Sequence, residues 1–499
     1  MSLRLSSLVT NLFTYDPLIM GSVVTFGSLG VALNLTVGVE PLPTRLAMMA
    51  AGLAGGVVGF VILFGMGMCV LSSYTQLVPR DKTKDLHDIC EPGKWVDARR
   101  FKQPDFGGSF VEAYISGKAD MKDGVDLLEV LEGSSTVGSG YFRHRLTLWH
   151  LRSFLLDLIP GLYFRHTKGG DTAEIRDTYD RGDDHDFYGK FLGHAMIYTS
   201  GVFKTGTESL EEAQVNKLEM IAKKLQLKKG DRHLDIGCGW GALGAHSAQY
   251  YGTKCSLVTL SRDGKKHAEA LFEERNIPKK DRPEVYLCDY RDTPGYEGTP
   301  GYGKVKYDKI SNVEMSEHVG LIGYEDYMRN IASMLEDDGL YFLQVAGLRR
   351  CWQWQDLCWG LFMGNYIFPG ADASTPLSWY TNQIEQAGLE VRSVENIGIH
   401  YSETLRAWYH NWMSNKDLII AKHGEYWFRL WCVFLSWSTV ASKHGSATCY
   451  QIVAHKNKSS FDRKKTFVGK EFATIGGLEL NPKLPSPKAY FPGQVAKAE

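Results

Sequence analysis

The sequence has no excess of charge of either sign and no paired cysteines. Of its 499 residues, 56 are Lys or Arg and 57 are Asp or Glu, which gives a formal net charge of −1. This balance gives no reason to expect a nucleic acid as a partner. The nine cysteines are odd in number and scattered, without the spacing of a metal-binding pair. We therefore expect reduced thiols, a cytosol-facing protein and no metal site.

Charged residues are also missing from two long stretches near the start of the chain. Residues 17–39 and 46–78 contain no Asp, Glu, Lys or Arg, and each exceeds the roughly 18–20 apolar residues that cross a bilayer. A cleaved signal peptide is the alternative, but the first run starts late and the second follows almost at once. We predict a transmembrane hairpin in residues 1–80, with helices at about 17–39 and 46–71.

The residues after the hairpin predict its orientation and the division of the rest of the chain. Arg80, Lys82 and Lys84 follow the second apolar run, so the positive-inside rule places the downstream part in the cytosol. The endoplasmic reticulum is the membrane that we expect. By composition we divide the remainder into a small helical region, a globular domain and a polar tail, at 81–170, 171–458 and 459–499.

The central motif of the domain is RHLDIGCGWG, at residues 232–241. It predicts a strand at 233–236, a glycine-rich turn and a helix at 242–249. Glycine has no Cβ, so such a turn can approach a ligand closely. Two further strands are predicted at 256–260 and 285–288. In an open parallel sheet a ligand binds at the carboxyl ends of such strands.

Strand and helix patterns alternate through the rest of the domain. Helical spacing is present at 208–225, 264–275 and 324–335, and strand patterns recur at 307–313, 340–345, 390–399 and 448–454. This alternation predicts an α/β fold, a Rossmann-like doubly wound parallel sheet with helical additions. The segments 351–368 and 426–437 are dense in aromatic residues. We expect them in a packed core, with an apolar tunnel for an acyl chain as the alternative.

The motif differs from that of nicotinamide-dependent enzymes. Its glycines follow GxGxG rather than GxGxxG, and the second strand ends in Thr259, Leu260 and Ser261 without an acidic residue. A phosphate-binding turn of another α/β enzyme stays open. Together, LDIGCGWG and CDYRD resemble the S-adenosylmethionine site of class I methyltransferases.

Several ordered segments carry a more specific resemblance. EEAQVNKLEMIAKKLQLKKGDRHLDIGCGWG, CDYRD, SEHVG, YIFPG and YSETLRAWY resemble the cyclopropane fatty acid synthase family of lipid methyltransferases, over roughly residues 107–455. That family lacks the membrane helices. A helical hairpin added to this body resembles the fungal sphingolipid C9-methyltransferases, which methylate C9 of the sphingadienine base of ceramide or glucosylceramide.

The resemblance implies where S-adenosylmethionine binds. A cationic sulfonium favours aromatic faces and carboxylates. At Gly264 family members often carry a polar side chain, so one hydrogen bond to the cofactor is in question. The implied cofactor-binding residues are Tyr198, Thr199, Asp235, Gly237, Cys238, Gly239, Trp240, Gly241, Thr259, Leu260, Ser261, Gly264, Asp289, Tyr290 and Arg291.

The resemblance also implies the catalytic residues. In the family, Cys, Glu, His and Tyr side chains form a cage around a bicarbonate that acts as the base. Glu317 matches the Glu and Tyr401 the Tyr, whereas Ser200 replaces the Cys and Gln344 replaces the His. Two interpretations stay open. Either bicarbonate still binds, or the altered cage moves the base, with Glu317 acting directly or through water, so that a methyl-branched alkene forms instead of a cyclopropane.

These observations predict an S-adenosylmethionine-dependent C-methyltransferase that adds a methyl branch at C9 of the sphingadienine base of a membrane sphingolipid. Lipid-binding insertions in the domain would accept the substrate. One alternative is a cyclopropane-forming or methyl-branching synthase for phospholipid acyl chains. The other is a non-catalytic membrane scaffold that binds S-adenosylmethionine. Oligomeric state and the choice between ceramide and glucosylceramide stay open.

Overall fold

The computed structural model describes residues 114–117, 120–121, 124–133, 166–180, 186–350, 354–459, 461–467 and 473–491. These residues build one seven-stranded sheet in the order β3-β2-β1-β4-β5-β7-β6. Its strands are β1 Arg232–Ile236, β2 Lys254–Thr259, β3 Glu284–Leu287, β4 Tyr307–Val313, β5 Leu335–Leu348, β6 Leu389–Asn396 and β7 Ala447–Lys456.

The sheet is mixed rather than fully parallel. Strands β1 to β5 pair in parallel, but β7 lies between β5 and β6 and is antiparallel to both. The predicted doubly wound α/β sheet is confirmed, and its all-parallel character is corrected. The reason is the helical connection at 397–446, which returns the chain from β6 in the opposite direction.

Helices cover the sheet and extend beyond it. The helix α4 begins at a capping box in which Ser209 and Glu212 exchange hydrogen bonds. The helices are α1 Leu127–Gly133, α2 Lys168–Tyr179, α3 Asp186–Leu192, α4 Leu210–Lys224, α5 Ala242–His246, α6 Arg262–Glu274, α7 Tyr324–Met334, α8 Trp354–Phe362, α9 Leu377–Gln386, α10 Gly398–Ser414, α11 Lys416–His423, α12 Glu425–Lys443, α13 Arg463–Phe467 and α14 Pro487–Tyr490.

The aromatic segments form a second core beside the sheet. In α12, Trp431 and Phe434 are buried, and Phe187 of α3 packs edge-to-face on Trp431 with ring centroids 4.8 Å apart. Such pairs add to the stabilisation that burial alone provides. The expected packed core is therefore present, and the predicted helical additions are confirmed. Tyr426, at the start of α12, is exposed.

The structure describes part of the C-terminal segment but not the N-terminal segment that was predicted to cross the membrane. The predicted helices 17–39 and 46–71 lie outside the described residues, among which no helix is long and apolar enough to cross a membrane. Part of the expected polar tail, residues 459–499, packs onto the domain. Tyr490 is buried, and its hydroxyl lies 2.7 Å from Nδ1 of His246. This hydrogen bond holds the segment around α14 against α5.

Candidate active site

The glycine-rich turn after β1 packs closely against its neighbours at Gly237 and Gly241, and has open space at Gly239 between them. Gly237 and Gly241 have φ values of 81° and 87°. A Cβ at Gly237 would lie 2.4 Å from Met315, and one at Gly241 would lie 2.5 Å from Ala268. Gly239 also has positive φ, but a Cβ there would meet no atom within 4 Å. The backbone at Gly239 is therefore free to meet a ligand.

A cavity of about 180 Å³ lies over this turn, at the carboxyl ends of β1, β2 and β4. It is lined by every predicted cofactor-binding residue except Gly241 and Arg291. The lining residues among those predicted are Tyr198, Thr199, Asp235, Gly237, Cys238, Gly239, Trp240, Thr259, Leu260, Ser261, Gly264, Asp289 and Tyr290.

Gly241 and Arg291 do not line the cavity, but they hold other residues that do. Gly241 is needed for close packing against Ala268, as described above. Arg291 holds two carboxylates of the wall: its Nε donates to Asp289 Oδ1 over 2.6 Å, and an Nη donates to Asp171 Oδ2 over 2.6 Å. Asp171, which sequence reasoning missed, therefore belongs to the lining together with Asp289. Arg291 orients these acids rather than touching the cavity.

The helix α6 presents its first turn to the cavity. Ser261 caps it by accepting a hydrogen bond from the Gly264 amide over 2.7 Å, and donates to Asp180 Oδ1 over 2.5 Å. A Cβ at Gly264 would lie 2.7 Å from the carbonyl oxygen of Gly239. Glycine at this position therefore lets α6 approach the glycine-rich turn, which explains the absence of a polar side chain there.

Asp235 ends β1 with a buried carboxyl group. Burial raises its pKa to about 6, so the group is largely ionised at neutral pH. Ser311 on β4 donates a hydrogen bond to Oδ1 over 2.6 Å, and its own Oγ lies 2.9 Å from Nε2 of His233. The carboxylate is thus held by the sheet and faces the cavity.

A buried lysine also faces the cavity. The Nζ of Lys217, in α4, donates to Thr199 Oγ1, and burial lowers its pKa to about 7. Sequence reasoning missed this residue. The signal was its position: Lys217 lies three residues after Gln214 and four before Ile221, on the buried face of the helix.

A second carboxylate, Glu314, lies where β4 ends and also lines the cavity. Four groups donate to it, the fourth being the Cys449 thiol. Gln344 Nε2 and the backbone N–H of Ser200 donate to Oε1 over 2.6 and 3.1 Å, and the Tyr401 hydroxyl donates to Oε2 over 2.9 Å. Cys449 Sγ lies 3.7 Å from Oε1. We call Glu314 and these four partners the carboxylate cage.

The cage brings together three of the four predicted catalytic residues around a residue that was not predicted. Ser200 contributes its backbone, because its Oγ donates instead to the Gly201 carbonyl over 3.1 Å. Glu317, expected inside the cage, is not a hydrogen-bond partner of the group there. Glu314 rather than Glu317 accepts the hydrogen bonds of the cage, and the catalytic role of Glu317 stays a prediction.

Glu317 is a buried neighbour of the cage. Its Oε1 accepts the Ala346 amide over 2.7 Å, and its Oε2 has no hydrogen-bond partner among the described residues. Burial, and then the nearby charge of Glu314, raise the pKa of Glu317 to about 8. The side chain is therefore mostly protonated at neutral pH, a state in which it is a poor base.

Aromatic rings pack beside the cofactor cavity and the carboxylate cage. Tyr198 lines the cavity, and its ring centroid lies 5.3 Å from that of Trp408 and 5.9 Å from that of Phe368. Trp408 in turn contacts the ring of Tyr401 at 6.2 Å. The carboxylate cage thus borders an apolar, aromatic region. Among the described residues no cluster of three or more metal-ligating side chains is present.

Comparison with known proteins agrees with this geometry. A family model described as mycolic acid cyclopropane synthetase matches residues 166–452. The chain belongs to this family. The resemblance to lipid methyltransferases that the sequence motifs carried is thereby confirmed.

Individual proteins match over more than half of the chain. The sphingolipid C9-methyltransferase of Candida albicans is 49% identical over 357 residues, 71% of this chain and 67% of that protein. That of Komagataella phaffii is 46% identical over 357 residues, 71% of each chain. The structure of the cyclopropane synthase MmaA2 from Mycobacterium tuberculosis, at 24% identity, covers 57% of this chain and 98% of its own, with a TM-score of 0.51. The last comparison supports the class I methyltransferase fold.

Proposed function

We propose that this protein is an S-adenosylmethionine-dependent C-methyltransferase that adds a methyl branch at C9 of the sphingadienine base of ceramide or glucosylceramide. The observation that carries the proposal is a partly buried carboxylate, Glu314, that is held by four partners in the wall of the cavity over the glycine-rich turn, in a chain close in sequence to sphingolipid C9-methyltransferases. The cavity supplies a place for the methyl donor. The cage supplies the base that methylation of an alkene requires.

The cavity residues fit S-adenosylmethionine. Gly239 leaves its backbone open for close approach, and Asp235 and Asp289 provide carboxylates for amine and hydroxyl groups. Tyr198 and Tyr290 provide aromatic faces in the same wall, which suit a sulfonium and an adenine. When bound, the cofactor supplies the electrophilic methyl group. The residues of the cavity hold it in line with the substrate, and this orientation is a large part of the catalysis.

The aromatic region beside the cage fits a lipid chain. An isolated alkene offers no polar group for binding, so its position depends on apolar contacts along the chain. Tyr198 and Phe368 are partly exposed and could provide such contacts next to Tyr401, with the buried ring of Trp408 packed against Tyr198 and Tyr401. Exclusion of water there also protects a carbocation from capture by a solvent nucleophile.

We also propose that the segments 17–39 and 46–71 anchor the protein in the endoplasmic reticulum membrane, with the domain in the cytosol. Their uncharged composition and the basic residues Arg80, Lys82 and Lys84 support this orientation. An anchor of this kind would keep the site at the bilayer that contains its substrate. Protease protection of tagged full-length protein in sealed microsomes tests the proposal, since cytosolic orientation requires cleavage without detergent.

Methyl transfer to defined lipids tests the function. The full-length protein is incubated with methyl-labelled S-adenosylmethionine and vesicles that contain ceramide, glucosylceramide or an unsaturated phospholipid, and the products are identified by mass spectrometry. We expect label at C9 of the long-chain base with the double bond retained. Label confined to phospholipid acyl chains would favour the fatty-acid alternative. Cofactor binding without any labelled lipid would favour the non-catalytic scaffold.

A further inference from the structure

The backbone at Glu314 is unusual for a residue with a side chain. Its φ is 54°, and the other described non-glycine residues with positive φ are Met196, Gln226 and Asn276. Such a conformation costs about 1–3 kcal/mol for a residue other than glycine. A strained residue with a carboxylate directed into a cavity suggests that the side chain is kept for its chemistry rather than for its fit to the fold.

The hydrogen bonds of Glu314 leave part of the carboxylate available. A carboxylate has about four lone-pair positions. Oε1 accepts from Gln344, from the Ser200 amide and, over 3.7 Å, from the Cys449 thiol, whereas Oε2 accepts only the Tyr401 hydroxyl among the described contacts. One acceptor position of Oε2 is therefore without a partner among the described residues. It belongs to a side chain that lines the cofactor cavity.

The donor side of the cage is itself held in place. Gln344 Oε1 accepts from Gln451 Nε2 over 2.9 Å, and Gln451 Oε1 accepts from the buried Lys224 Nζ over 2.7 Å. This chain of contacts fixes the amide of Gln344 with its nitrogen toward Glu314. Gln344 therefore acts as a hydrogen-bond donor to a carboxylate that the protein already provides.

We propose that the carboxylate of Glu314 is the base of the reaction and takes the place of a dissolved bicarbonate. The proposal rests on the proposed function. Its basis is that the side chains of Gln344 and Tyr401, together with the Ser200 amide, already surround a protein carboxylate at the edge of the cavity. Glu317 assists by staying protonated beside it, so that no second negative charge lies next to the Glu314 carboxylate.

The chemistry balances with this single base. The π electrons of the C8–C9 double bond form a bond from C9 to the methyl carbon while the methyl–sulfur bond breaks and its electrons remain on sulfur. A positive charge is left at C8. The carboxylate of Glu314 then removes the proton on C9, and the C–H electrons restore the C8–C9 double bond. The products are a methyl-branched alkene, S-adenosylhomocysteine and a protonated Glu314, which returns its proton to solvent.

Substitutions at position 314 test the proposal in buffer depleted of bicarbonate. We expect Glu314→Gln to keep binding S-adenosylmethionine but to lose about 10²–10⁴-fold in the rate of lipid methylation at saturating cofactor, the usual contribution of a general base. Glu385→Gln, on the exposed face of α9, is the matched control and should keep the wild-type rate.

Glu314→Gly provides a second variant that is compatible with the backbone, because glycine accepts positive φ without strain. It should still fold, because relief of the backbone strain offsets part of the loss of three hydrogen bonds, and it should be inactive without added anion. Bicarbonate or formate should restore part of its activity, since either fits the space left by the carboxylate. Thermal unfolding and cofactor titration of both variants confirm that the domain is intact.

Two results would overturn the proposal while leaving the proposed function standing. One is wild-type enzyme that methylates the lipid only when bicarbonate is supplied. The other is Glu314→Gln that methylates within about tenfold of the wild-type rate, far less than loss of a base produces. By contrast, wild-type protein that methylates no sphingolipid under any condition contradicts the proposed function itself.

Discussion

Tyr401 donates its hydroxyl hydrogen to Oε2 of Glu314 over 2.9 Å, although the two residues are 87 positions apart in the sequence. Glu314 lies at the end of β4, and Tyr401 lies in α10, within the helical connection between β6 and β7. The contact therefore joins the cofactor-binding half of the domain to its aromatic half. The carboxylate cage exists only when these two parts are folded against each other.

Removal of this hydroxyl should slow the reaction without weakening cofactor binding. A hydrogen bond to a charged group contributes about 1.5–3 kcal/mol, so we expect Tyr401→Phe to lower kcat by roughly 10–100-fold. Steady-state methylation and cofactor titration measure the two effects separately. Tyr409→Phe is the matched control, because Tyr409 in the same helix donates over 2.9 Å to Asp126, outside the cavity lining. It should lower stability and leave kcat unchanged.

Arg291 should affect the cofactor rather than the chemistry. Its guanidinium holds Asp289 and Asp171 in the cavity wall, so Arg291→Met leaves two buried carboxylates without their cation. We predict a roughly tenfold or larger rise in the Kd for S-adenosylmethionine, equivalent to about 1.4 kcal/mol or more. The value of kcat at saturating cofactor should change little. Isothermal titration measures the first quantity.

Arg329→Met serves as the control for this experiment. Arg329 also contacts two carboxylates, Glu325 and Asp326, but its side chain is half exposed on α7. Exposed ion pairs contribute little, so its removal should leave the Kd unchanged. Equal weakening of cofactor binding in both variants would show that the wall acids do not depend on Arg291 for their orientation.

A methyl group at position 264 should disturb the glycine-rich turn. The added Cβ of Gly264→Ala would lie 2.7 Å from the Gly239 carbonyl, so helix and turn must separate. We expect a several-fold to tenfold weaker Kd for the cofactor, in line with a cost of about 1 kcal/mol for overpacking. Gly169→Ala, on an exposed part of α2 where a Cβ meets nothing within 4 Å, should leave binding unchanged. Wild-type affinity in Gly264→Ala would contradict this account.

Glu317 should make stability depend on pH. Its pKa is raised from 4.5 to about 8 in the folded protein, so between these values the folded state keeps a proton that the unfolded state has released. The contribution of protonated Glu317 to the free energy of unfolding is complete below about pH 4.5 and is lost as the pH rises to about 8. The wild type should therefore lose stability relative to Glu317→Gln over this range, by at most about 1.4 kcal/mol per pH unit. Urea unfolding of both proteins at pH 5, 6, 7 and 8 measures the difference, and a constant difference would contradict the raised pKa.

The strands that carry the cofactor cavity were predictable because their signal is local. The predicted strand at 307–313 has the observed bounds of β4, and the strand predicted at 233–236 differs from β1 by one residue. Short buried runs followed by glycine or an acidic residue are clear in one sequence. The antiparallel direction of β7 was not predictable in this way, because it depends on how the helices from α10 to α12 return the chain.

The central residue of the cage was missed for a related reason. Glu314 adjoins a strand and carries no motif of its own, whereas Glu317 matched a known family segment. The positive φ of Glu314 is a property of the folded backbone and is not visible in the sequence. Three hydrogen-bond partners of Glu314 lie 30, 87 and 114 positions away along the chain. Lys217 and Asp171 were missed similarly, since a charged residue in a helix is normally assigned to the solvent-facing side.

The left-handed backbone at position 314 also bears on how such an enzyme can change through evolution. Glycine is accommodated there without strain, and the codons for glycine and glutamate differ by a single base. On the mechanism proposed above, one nucleotide exchange at this position replaces the Glu314 carboxylate by glycine. The enzyme must then bind an anion from solution to act as the base. The supply of dissolved carbon dioxide in the cell would then limit one form and not the other.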